Sequence, residues 1–315
     1  MSSLEPDNSQ PPAAPNVLLT GATGYVGGRL IPLLEAQSVN LRCLARKPDK
    51  LRPQVADSTE IVKGDVLDMS SLEAALEGVD TTYYLVHLMS GSQDFEEEDR
   101  QAARNFADVA KQAGVRRIIY LGGLGDDDDP KLSPHLRSRH EVGEILRDSG
   151  VETIEFRAGM VVGAGSLSYQ LMKSLTDRLP VMICPRWLAT PTQAIAIRDV
   201  LDYLLAAKDL PSGDSTIFEI GSPDVVTYGE LIREYARQEG MRRWLIFVPV
   251  LTPYLSGLWL ALVTPATYEV GRHLIEGLQN PTVVRDTKAL DVFSIRPMGV
   301  KEAIQQARKG PESSV

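Results

Sequence analysis

The feature that most constrains the fold is a loop with three glycines, Gly21, Gly24 and Gly27, placed directly after a short apolar run at residues 17–19. An amphipathic pattern of helical period follows it, over residues 25–37. In such a unit the first glycine permits a sharp turn, the second lets backbone amides approach a phosphate, and the third lets the helix pack closely on the sheet. The pattern predicts a dinucleotide-binding loop with the phosphates at the positive helix end. The alternative is a glycine-rich turn that binds no ligand.

The expected cofactor contacts extend over the whole loop and are assigned to six of its residues: Gly21, Thr23, Gly24, Tyr25, Val26 and Gly27. The end of the second predicted strand, at residues 41–47, contains no acid that could hold a ribose 2′-hydroxyl. Arg46 suits a 2′-phosphate by its charge and its planar fork. We therefore expect NADP(H) as the preferred cofactor, with NAD(H) as a second possibility. A solvated Arg–Lys pair at a strand end is the alternative for Arg46.

Two further strand ends carry candidate cofactor contacts. Asp65 and Val66 follow the third predicted strand, where a carboxylate could meet the adenine amino group, although Asp65 could equally be a turn residue. His87 ends the fourth predicted strand, near the expected ribose and pyrophosphate. The alternative for His87 is a packed or water-bonded histidine.

The rest of the first half alternates apolar runs with amphipathic stretches. Strands are predicted at 17–19, 40–45, 60–63, 80–87, 117–121 and 153–157, with helices at 25–37, 70–76, 95–113 and 136–149. This alternation predicts an α/β protein with a doubly wound parallel sheet, the Rossmann fold. We expect a disordered leader at 1–15, a nucleotide-binding core at 16–160, and a smaller substrate-side region at 161–310 that is interleaved with the core.

Composition and charge narrow the function classes. The chain has 315 residues, a net charge of -9 and a pI of about 5.1, which argues against a nucleic-acid surface. Cys43 and Cys184 lie in apolar contexts and are expected to be buried free thiols. The first residues lack the basic and apolar regions of a signal peptide, so we expect a cytoplasmic protein. An aspartate run at 126–129 is expected to be a solvated loop and not a metal site.

These residues resemble the short-chain dehydrogenase/reductase superfamily in its extended and atypical branches. The resemblance rests on the glycine loop, on Asp65 and Val66, and on the run at 156–163. The runs at 120–125 and 133–143 are similar to the NmrA-like and complex I accessory-subunit-like group of NAD(P)H-binding proteins. Members of that group include reductases, cofactor sensors and assembly factors. The resemblance therefore implies a specific type of cofactor, NAD(P)H, but no specific reaction.

The chain departs from the catalytic set of the superfamily, which is a Ser or Thr, a Tyr, and a Lys four residues later. Counting back from residues 144–146 places the Lys position at His140, the Tyr position at Leu136 and the Ser position near Gly123. From helix geometry alone, the spacing of His135, Arg139 and His140 would bring their side chains to one side of a helix. His140 is the candidate for binding the nicotinamide ribose and for proton transfer, and Arg139 for polarising a carbonyl. A solvated polar helix face is the alternative.

The stretch at 244–268 contains no charged residue and is the most apolar part of the chain. Pro249, Pro253 and Gly257 interrupt it, which argues against a membrane span. It could cover a hydrophobic substrate pocket, or form an exposed patch that docks peripherally on a membrane or on a protein partner.

Taken together, the residues and the resemblance predict an NADP(H)-dependent oxidoreductase that acts on an apolar carbonyl or enone of lipid or quinone type. The alternative is a non-catalytic NADP(H)-binding regulator or assembly factor, which the missing Tyr and Lys would favour. An epimerase is a third and weaker hypothesis, because its proton-transfer Tyr is absent as well.

Overall fold

A computed structural model describes residues 14–88, 94–248 and 277–310. The first half of the chain alternates strands and helices. Its elements are β1 (Asn16–Leu19), α1 (Tyr25–Glu35), β2 (Asn40–Ala45), α2 (Pro48–Leu51), β3 (Glu60–Lys63), α3 (Met69–Leu76), β4 (Thr81–Tyr84), α4 (Phe95–Gln112), β5 (Arg117–Gly123), α5 (Pro134–Asp148) and β6 (Glu152–Ala158).

The second half mixes short strands with helices. Its elements are β7 (Val161–Val162), α6 (Leu167–Arg178), β8 (Val181–Cys184), β9 (Pro191–Thr192), β10 (Ile195–Ala196), α7 (Ile197–Lys208), β11 (Thr216–Ile220), β12 (Val226–Thr227), α8 (Tyr228–Gln238), β13 (Trp244–Phe247), α9 (Lys288–Val292) and α10 (Val300–Arg308).

The main sheet has seven strands in the described part of the chain, in the order β11-β6-β5-β4-β1-β2-β3. Every pairing within it is parallel. The predicted doubly wound α/β fold is therefore confirmed. The strand order reverses between β1 and β4, and in open parallel sheets the ligand crevice lies at the carboxyl ends of the strands at that point.

Apolar side chains cover both faces of the sheet, as a parallel sheet requires. On one face, Leu30 of α1 and Leu204 of α7 belong to one buried cluster. On the other face, Leu72 of α3, Phe106 of α4 and Leu146 of α5 belong to a second cluster. The two layers hold the strand ends in a fixed relation to each other.

The second half contributes a third apolar cluster of its own, in which α6, α8 and α10 meet. The same half also returns to the main sheet, because β11 pairs with β6 along Thr216–Ile220. Residues beyond 160 therefore supply both a separate apolar cluster and an edge strand of the nucleotide-binding sheet.

Some predicted boundaries differ from the structure. The fourth strand ends at Tyr84, before the predicted residue 87, and residues 244–247 form β13, which pairs with β8. The predicted leader lies outside the described residues up to position 13, as do residues 249–268 of the apolar stretch. Among the residues described, no helix is long and apolar enough to cross a bilayer. Cys43 and Cys184 are buried free thiols, as predicted.

Candidate functional site

The glycine loop between β1 and α1 is too tight for side chains at two of its positions. Gly21 has a φ of +70°, and a Cβ atom there would lie 2.4 Å from the carbonyl oxygen of Leu85. A Cβ atom at Gly27 would lie 2.3 Å from the carbonyl oxygen of Gly21. The N–H of Gly24 donates to that same carbonyl at 2.9 Å and closes the turn. The loop is thus a cradle made of backbone.

The N-terminus of α1 is uncapped. In contrast, α5, α6 and α8 begin after Ser133, Ser166 and Thr227, whose side chains accept a backbone amide of the first turn. Gly24 offers no such group to α1, and no acidic residue lies in the first turn. The first amides of a helix have no acceptor within the helix. Because Thr23 and Gly24 are exposed, an external anion such as a diphosphate fits this end.

Tyr25 and Val26, the first residues of α1, anchor the glycine loop by packing against other parts of the chain. The guanidinium carbon of Arg29 lies 3.9 Å from the centre of the Tyr25 ring. A Cβ atom on Gly163 would lie 2.2 Å from the Tyr25 hydroxyl, so the ring end packs directly on that backbone. This hydroxyl is buried and has no hydrogen-bond partner in the described part of the chain. Burial raises its pKa, against the opposing charge of Arg29. Val26 packs against the core.

The second and third strands bring the remaining predicted cofactor contacts to the same edge. Arg46 follows β2 and is exposed. The Asp65 carboxylate accepts the Leu67 amide at 3.1 Å, so one oxygen of this side chain shapes the turn after β3. Val66 is buried in a core cluster, which leaves its backbone as the part that could meet a ligand. Their predicted roles toward a cofactor stay predictions.

A hydrogen-bonded series of a carboxylate and two imidazoles lies just beyond β4. Asp99 of α4 is buried and accepts from Nδ1 of His87 (3.0 Å), from the Leu88 amide (2.9 Å) and from the Ser138 hydroxyl (2.8 Å). Nε2 of His87 lies 3.0 Å from Nδ1 of His135, in the first turn of α5. The three groups form a continuous path of hydrogen bonds.

The carboxylate decides how this series is protonated. Because Asp99 only accepts, Nδ1 of His87 carries a hydrogen, and Nε2 of a neutral His87 accepts one from Nδ1 of His135. Burial lowers the pKa of His87, even though the hydrogen bond to Asp99 opposes the shift. Burial alone would raise the pKa of Asp99, but its hydrogen bonds, above all the one from His87, outweigh this and lower it. The series is therefore built from an anion and a neutral ring, with His135 at its outer end.

Arg139 lies one turn after His135 and faces the same strand end. Its guanidinium carbon is 4.9 Å from the centre of the Tyr120 ring, and one of its nitrogens lies 3.4 Å from the carbonyl oxygen of Val86. The Tyr120 hydroxyl donates to the Arg139 carbonyl at 2.9 Å and ties the helix to β5. A fixed positive charge thus lies beside the two imidazoles.

His140 lies apart from this group, which corrects the expectation that it shares one side of α5 with His135 and Arg139. Its Nε2 is 2.9 Å from the carbonyl oxygen of Gly123, and its Nδ1 is 2.6 Å from Asp127. Burial lowers its pKa, and the nearby Arg157 adds to the shift. The difference arises because consecutive helix positions are separated by about 100°, so residues 139 and 140 face different neighbours. The proposed role of His140 in ribose binding and proton transfer stays a prediction.

The side chains of α5 that face the end of β4 lie one residue before the positions obtained by counting. Leu136 is a core residue, since its Cδ2 lies 2.8 Å from where a Cβ of Gly123 would be. The side chains that face the end of β4 are His135 and Arg139. They keep the spacing of four residues that separates Tyr from Lys in the superfamily, and both belong to the set of three residues that the sequence singled out on this helix. Asp99 and Ser138 were not predicted, because Asp99 is 12 positions from His87 and Ser138 is 39 positions from Asp99 in the chain.

An apolar cleft lies between α6, α8 and the turn at Arg186–Ala189. It encloses about 70 Å³ and is lined by residues that include Met172, Trp187, Leu231 and Leu278. This volume accommodates a small apolar group. Leu278 follows Gly277, at which a Cβ would lie 3.6 Å from the His135 ring, so one wall of the cleft adjoins the imidazole series. The indole N–H of Trp187 is buried and finds no acceptor among the residues described.

The aspartate loop at 126–129 binds other segments of the chain. Asp126 pairs with Arg285 at 2.7 Å, and Asp127 pairs with Arg157 at 2.7 Å. The Asn280 side chain donates to Asp129 at 3.0 Å. Within residues 14–88, 94–248 and 277–310, no group of three or more His, Cys, Asp or Glu side chains is arranged to hold a metal ion. The loop fastens residues 280–285 over the carboxyl ends of β5 and β6.

Two reductases are similar in sequence to this chain over most of its length. Sanguinarine reductase of Eschscholzia californica is 25% identical over 283 residues, covering 76% of this chain and 97% of the relative. Ceramide reductase of Caulobacter vibrioides is 26% identical over 265 residues, covering 81% of this chain and 82% of the relative. Both relatives are reductases by name.

Solved structures show the same fold. An NADPH-dependent quinone oxidoreductase from Escherichia coli, complexed with NADPH, superposes with a TM-score of 0.71 at 19% identity, covering 92% of this chain and 98% of the other. The triphenylmethane reductase of Citrobacter sp., complexed with NADP(H), gives a TM-score of 0.72 at 17% identity, covering 93% and 99%.

The sequence pattern of the NAD(P)H-binding family matches residues 21–178, which is half of the chain. The match begins at the first glycine of the loop and includes the end of β4 and all of α5. The matched residues include the glycine loop at Gly21–Gly27 and the uncapped start of α1, the two features that fit a diphosphate. The chain therefore belongs to the NAD(P)H-binding family.

Proposed function

We propose that the protein is an NADP(H)-dependent reductase of an apolar carbonyl or enone compound, of lipid or quinone type, with His135 as the proton donor. The observation that carries the proposal is the series Asp99, His87 and His135 beside an apolar cleft. In this assignment His135 is the catalytic residue, and Asp99 and His87 position it.

The preference for NADP(H) is supported by charge at the end of β2. Arg46 is exposed there, and residues 41–47 offer no carboxylate to a ribose 2′-hydroxyl. Both structural neighbours named above were solved with NADPH or NADP(H). When bound, the reduced nicotinamide supplies the hydride.

Proton delivery is the task of the chain's own residues. A doubly protonated His135 donates Nδ1–H to His87 and directs its second N–H to the substrate oxygen. Loss of that second proton leaves a neutral imidazole and completes the hydroxyl group. The Asp99 carboxylate holds Nδ1–H of His87, so that Nε2 of His87 is the acceptor that faces Nδ1 of His135. Arg139 is suited to polarise the same oxygen.

Substrate character is inferred from the cleft. Apart from Ser168, its walls are methionine, leucine, isoleucine and aromatic side chains, which select an apolar substituent. The buried indole N–H of Trp187 would gain an acceptor from a polar atom on an otherwise apolar ligand. Such a ligand would place its apolar end in the cleft and its reducible end toward His135.

The deciding experiment measures oxidation of NADPH against a panel of apolar enones and quinones, for the wild type and for His135→Asn. We expect kcat to fall about 100-fold, the scale of one general acid, while the Kd for NADPH stays the same. Arg137→Ala, an exposed change on the same helix, is the matched control and should keep full activity. Asp99→Asn should also lower kcat with an unchanged Kd for NADPH, because it removes the anionic acceptor that fixes Nδ1–H of His87.

Comparison with His140→Asn decides between the two candidate donors on α5. A greater loss in His140→Asn than in His135→Asn would return the proton-transfer role to His140. Full activity of His135→Asn would exclude His135 as donor.

A second candidate function is a non-catalytic NADP(H)-dependent regulator or assembly factor. The observation that favours it is the absence of both Tyr and Lys from the side of α5 that faces β4, where His135 and Arg139 stand instead. Tight NADPH binding without turnover of any compound in the panel would support this function over the reductase.

A further inference from the structure

The two-stranded sheet of β8 and β13 exposes one apolar face to solvent. Its register pairs Trp244 with Val181 and Ile246 with Ile183. The exposed fractions of these side chains are 69%, 49%, 52% and 51% respectively. Val181 and Ile183 alternate with buried residues on β8, and Trp244 and Ile246 lie beside them on β13, so the four side chains form a continuous patch, which we name the outer β8–β13 face. Phe247 of β13 is also exposed, and the centre of its ring lies 5.8 Å from the guanidinium carbon of Arg233. A contiguous apolar patch on a protein surface marks an interaction site more often than a lone exposed residue does.

Arginines border this face. The segments 178–187 and 241–248 contain Arg178, Arg186, Arg242 and Arg243, and neither contains Asp, Glu or Lys. Arg186 and Arg242 are exposed. The local charge is thus positive in a chain whose net charge is -9. The nearest acidic residue in sequence, Asp177, is bonded to Lys173 and to the Tyr235 hydroxyl.

Buried side chains of β8 and hydrogen bonds to backbone carbonyls hold the outer β8–β13 face in place. Met182 and Cys184, which alternate with the exposed residues of β8, are fully buried in the third apolar cluster. The Trp244 amide donates to the Pro180 carbonyl at 3.0 Å, and Arg243 donates to the Thr176 carbonyl at 2.5 Å. The apolar side chains are therefore presented outward by a fixed support and need no rearrangement to meet a surface.

We propose that the outer β8–β13 face docks the protein on the surface of an anionic lipid bilayer. Trp244, Ile246, Val181 and Ile183 enter the headgroup and upper acyl region, while Arg186 and Arg242 contact lipid phosphates. A tryptophan beside aliphatic side chains and a rim of cations matches the composition of interfacial membrane-binding surfaces. Leu188 and Leu231 of the apolar cleft belong to the same third cluster as Met182 and Cys184, which lie beneath this face.

Charge argues for lipid over a second copy of this chain. A two-fold contact through this face would bring its arginines against the same arginines of the partner, since such an interface pairs a patch with itself. Like charges across an interface suppress association. Anionic headgroups neutralise the same arginines.

The test is co-sedimentation of the full chain with vesicles of phosphatidylcholine alone and of phosphatidylcholine mixed with phosphatidylglycerol. We expect binding to the anionic vesicles that weakens with added potassium chloride. The double variant Trp244→Ser, Ile246→Ser should lower the partition coefficient by more than about tenfold, from the loss of two apolar side chains. Arg242→Glu should lower it about fivefold or more, the scale of one basic residue near an anionic surface.

Matched controls distinguish binding through this face from nonspecific binding of exposed apolar or charged side chains elsewhere on the protein. Val292→Ser replaces an apolar residue of 50% exposure on α9, and Arg104→Glu reverses an exposed charge on α4. Both should sediment with anionic vesicles as the wild type does, and NADPH binding reports that every variant is folded. The proposal is overturned if no vesicle is bound, if neutral and anionic vesicles bind equally, or if the double variant binds unchanged. It is also overturned if the double variant only converts a dimer to a monomer on light scattering.

Discussion

At the residue scale, the buried side chain of Arg117 connects three elements, β5, β6 and α7. It opens β5 with its side chain fully buried, and it pairs with Glu152 at the start of β6 at 2.8 Å. The same guanidinium donates to the carbonyl oxygens of Ala207, Leu210 and Pro211, at and beyond the end of α7. A planar group with five donors is suited to this arrangement. The arginine therefore fastens α7 to the amino-terminal edge of the main sheet.

Replacing Arg117 with Ala should lower the free energy of unfolding by about 3–5 kcal/mol, because it leaves a buried carboxylate and several carbonyls without partners. Urea unfolding followed by circular dichroism measures this. Arg116→Ala is the control, since its side chain is 44% exposed and 3.9 Å from the same Glu152. An exposed pair contributes about 0–1 kcal/mol. Equal losses in both variants would contradict the assignment.

Sequence reasoning predicts the strand at Arg117 but not its bonds. The run after Arg117 is apolar and β-branched, which is a local signal. The carbonyls that accept from its guanidinium lie about 90 positions further on, and only the packing of α7 against the sheet brings them there. The buried Asp99 was missed for the same reason, because its histidine partner is known only once α4 lies beside the end of β4.

At the element scale, β1, the glycine loop and α1 were predicted to within two residues of their bounds, since every determinant lies within residues 17–37. The turn needs Gly21 at positive φ, and the helix needs Gly27 to approach the Gly21 carbonyl. The pairing of β8 with β13 was not predicted. Residues 244–247 show no alternation of polar and apolar types, and their partner strand is about 60 residues earlier.

Gly27→Ala should weaken NADPH binding about tenfold or more, because its Cβ would lie 2.3 Å from the Gly21 carbonyl oxygen and overpacking of this kind costs about 1–3 kcal/mol. Fluorescence titration with NADPH measures the Kd. Gly28→Ala, one residue later, is the control.

The Cβ of that control would lie at an ordinary contact distance, 3.4 Å from the Ala22 carbonyl oxygen. Helix propensity should then stabilise Gly28→Ala by up to about 1 kcal/mol, with no change in Kd. Unaltered binding in Gly27→Ala would mean that the loop is not held as tightly as its geometry indicates.

At the scale of the whole molecule, the expected cofactor site joins both halves of the main sheet. Arg46 lies on the β2 side of the strand-order reversal, and His87 lies on the β4 side. Glycine spacing and an arginine at a strand end are local signals, so the sequence alone predicts the nucleotide end of the expected site. Which side chains of α5 face the end of β4 depends on the register of α5 against β4 and β5, which local signals do not carry.

Arg46→Ala should reduce the rise in melting temperature that NADPH produces and leave the rise produced by NADH unchanged. A ligand stabilises the folded state by its affinity, and a charge-assisted contact to phosphate contributes about 1.5–3 kcal/mol. Differential scanning fluorimetry with each nucleotide measures this. Lys50→Ala, an exposed cation a few residues away on α2, is the control. Equal loss of both shifts would argue against a 2′-phosphate at Arg46.

The position of β11 also bears on how the chain is assembled as it is synthesised. The strand that covers the outer edge of β6 comes about 60 residues after it, once α6 and α7 have been made. Until residue 220 leaves the ribosome, β6 presents an unpaired backbone edge, the kind of edge that invites association with other chains. A nascent chain halted before this point would be prone to aggregate, even though the whole glycine loop has already been synthesised.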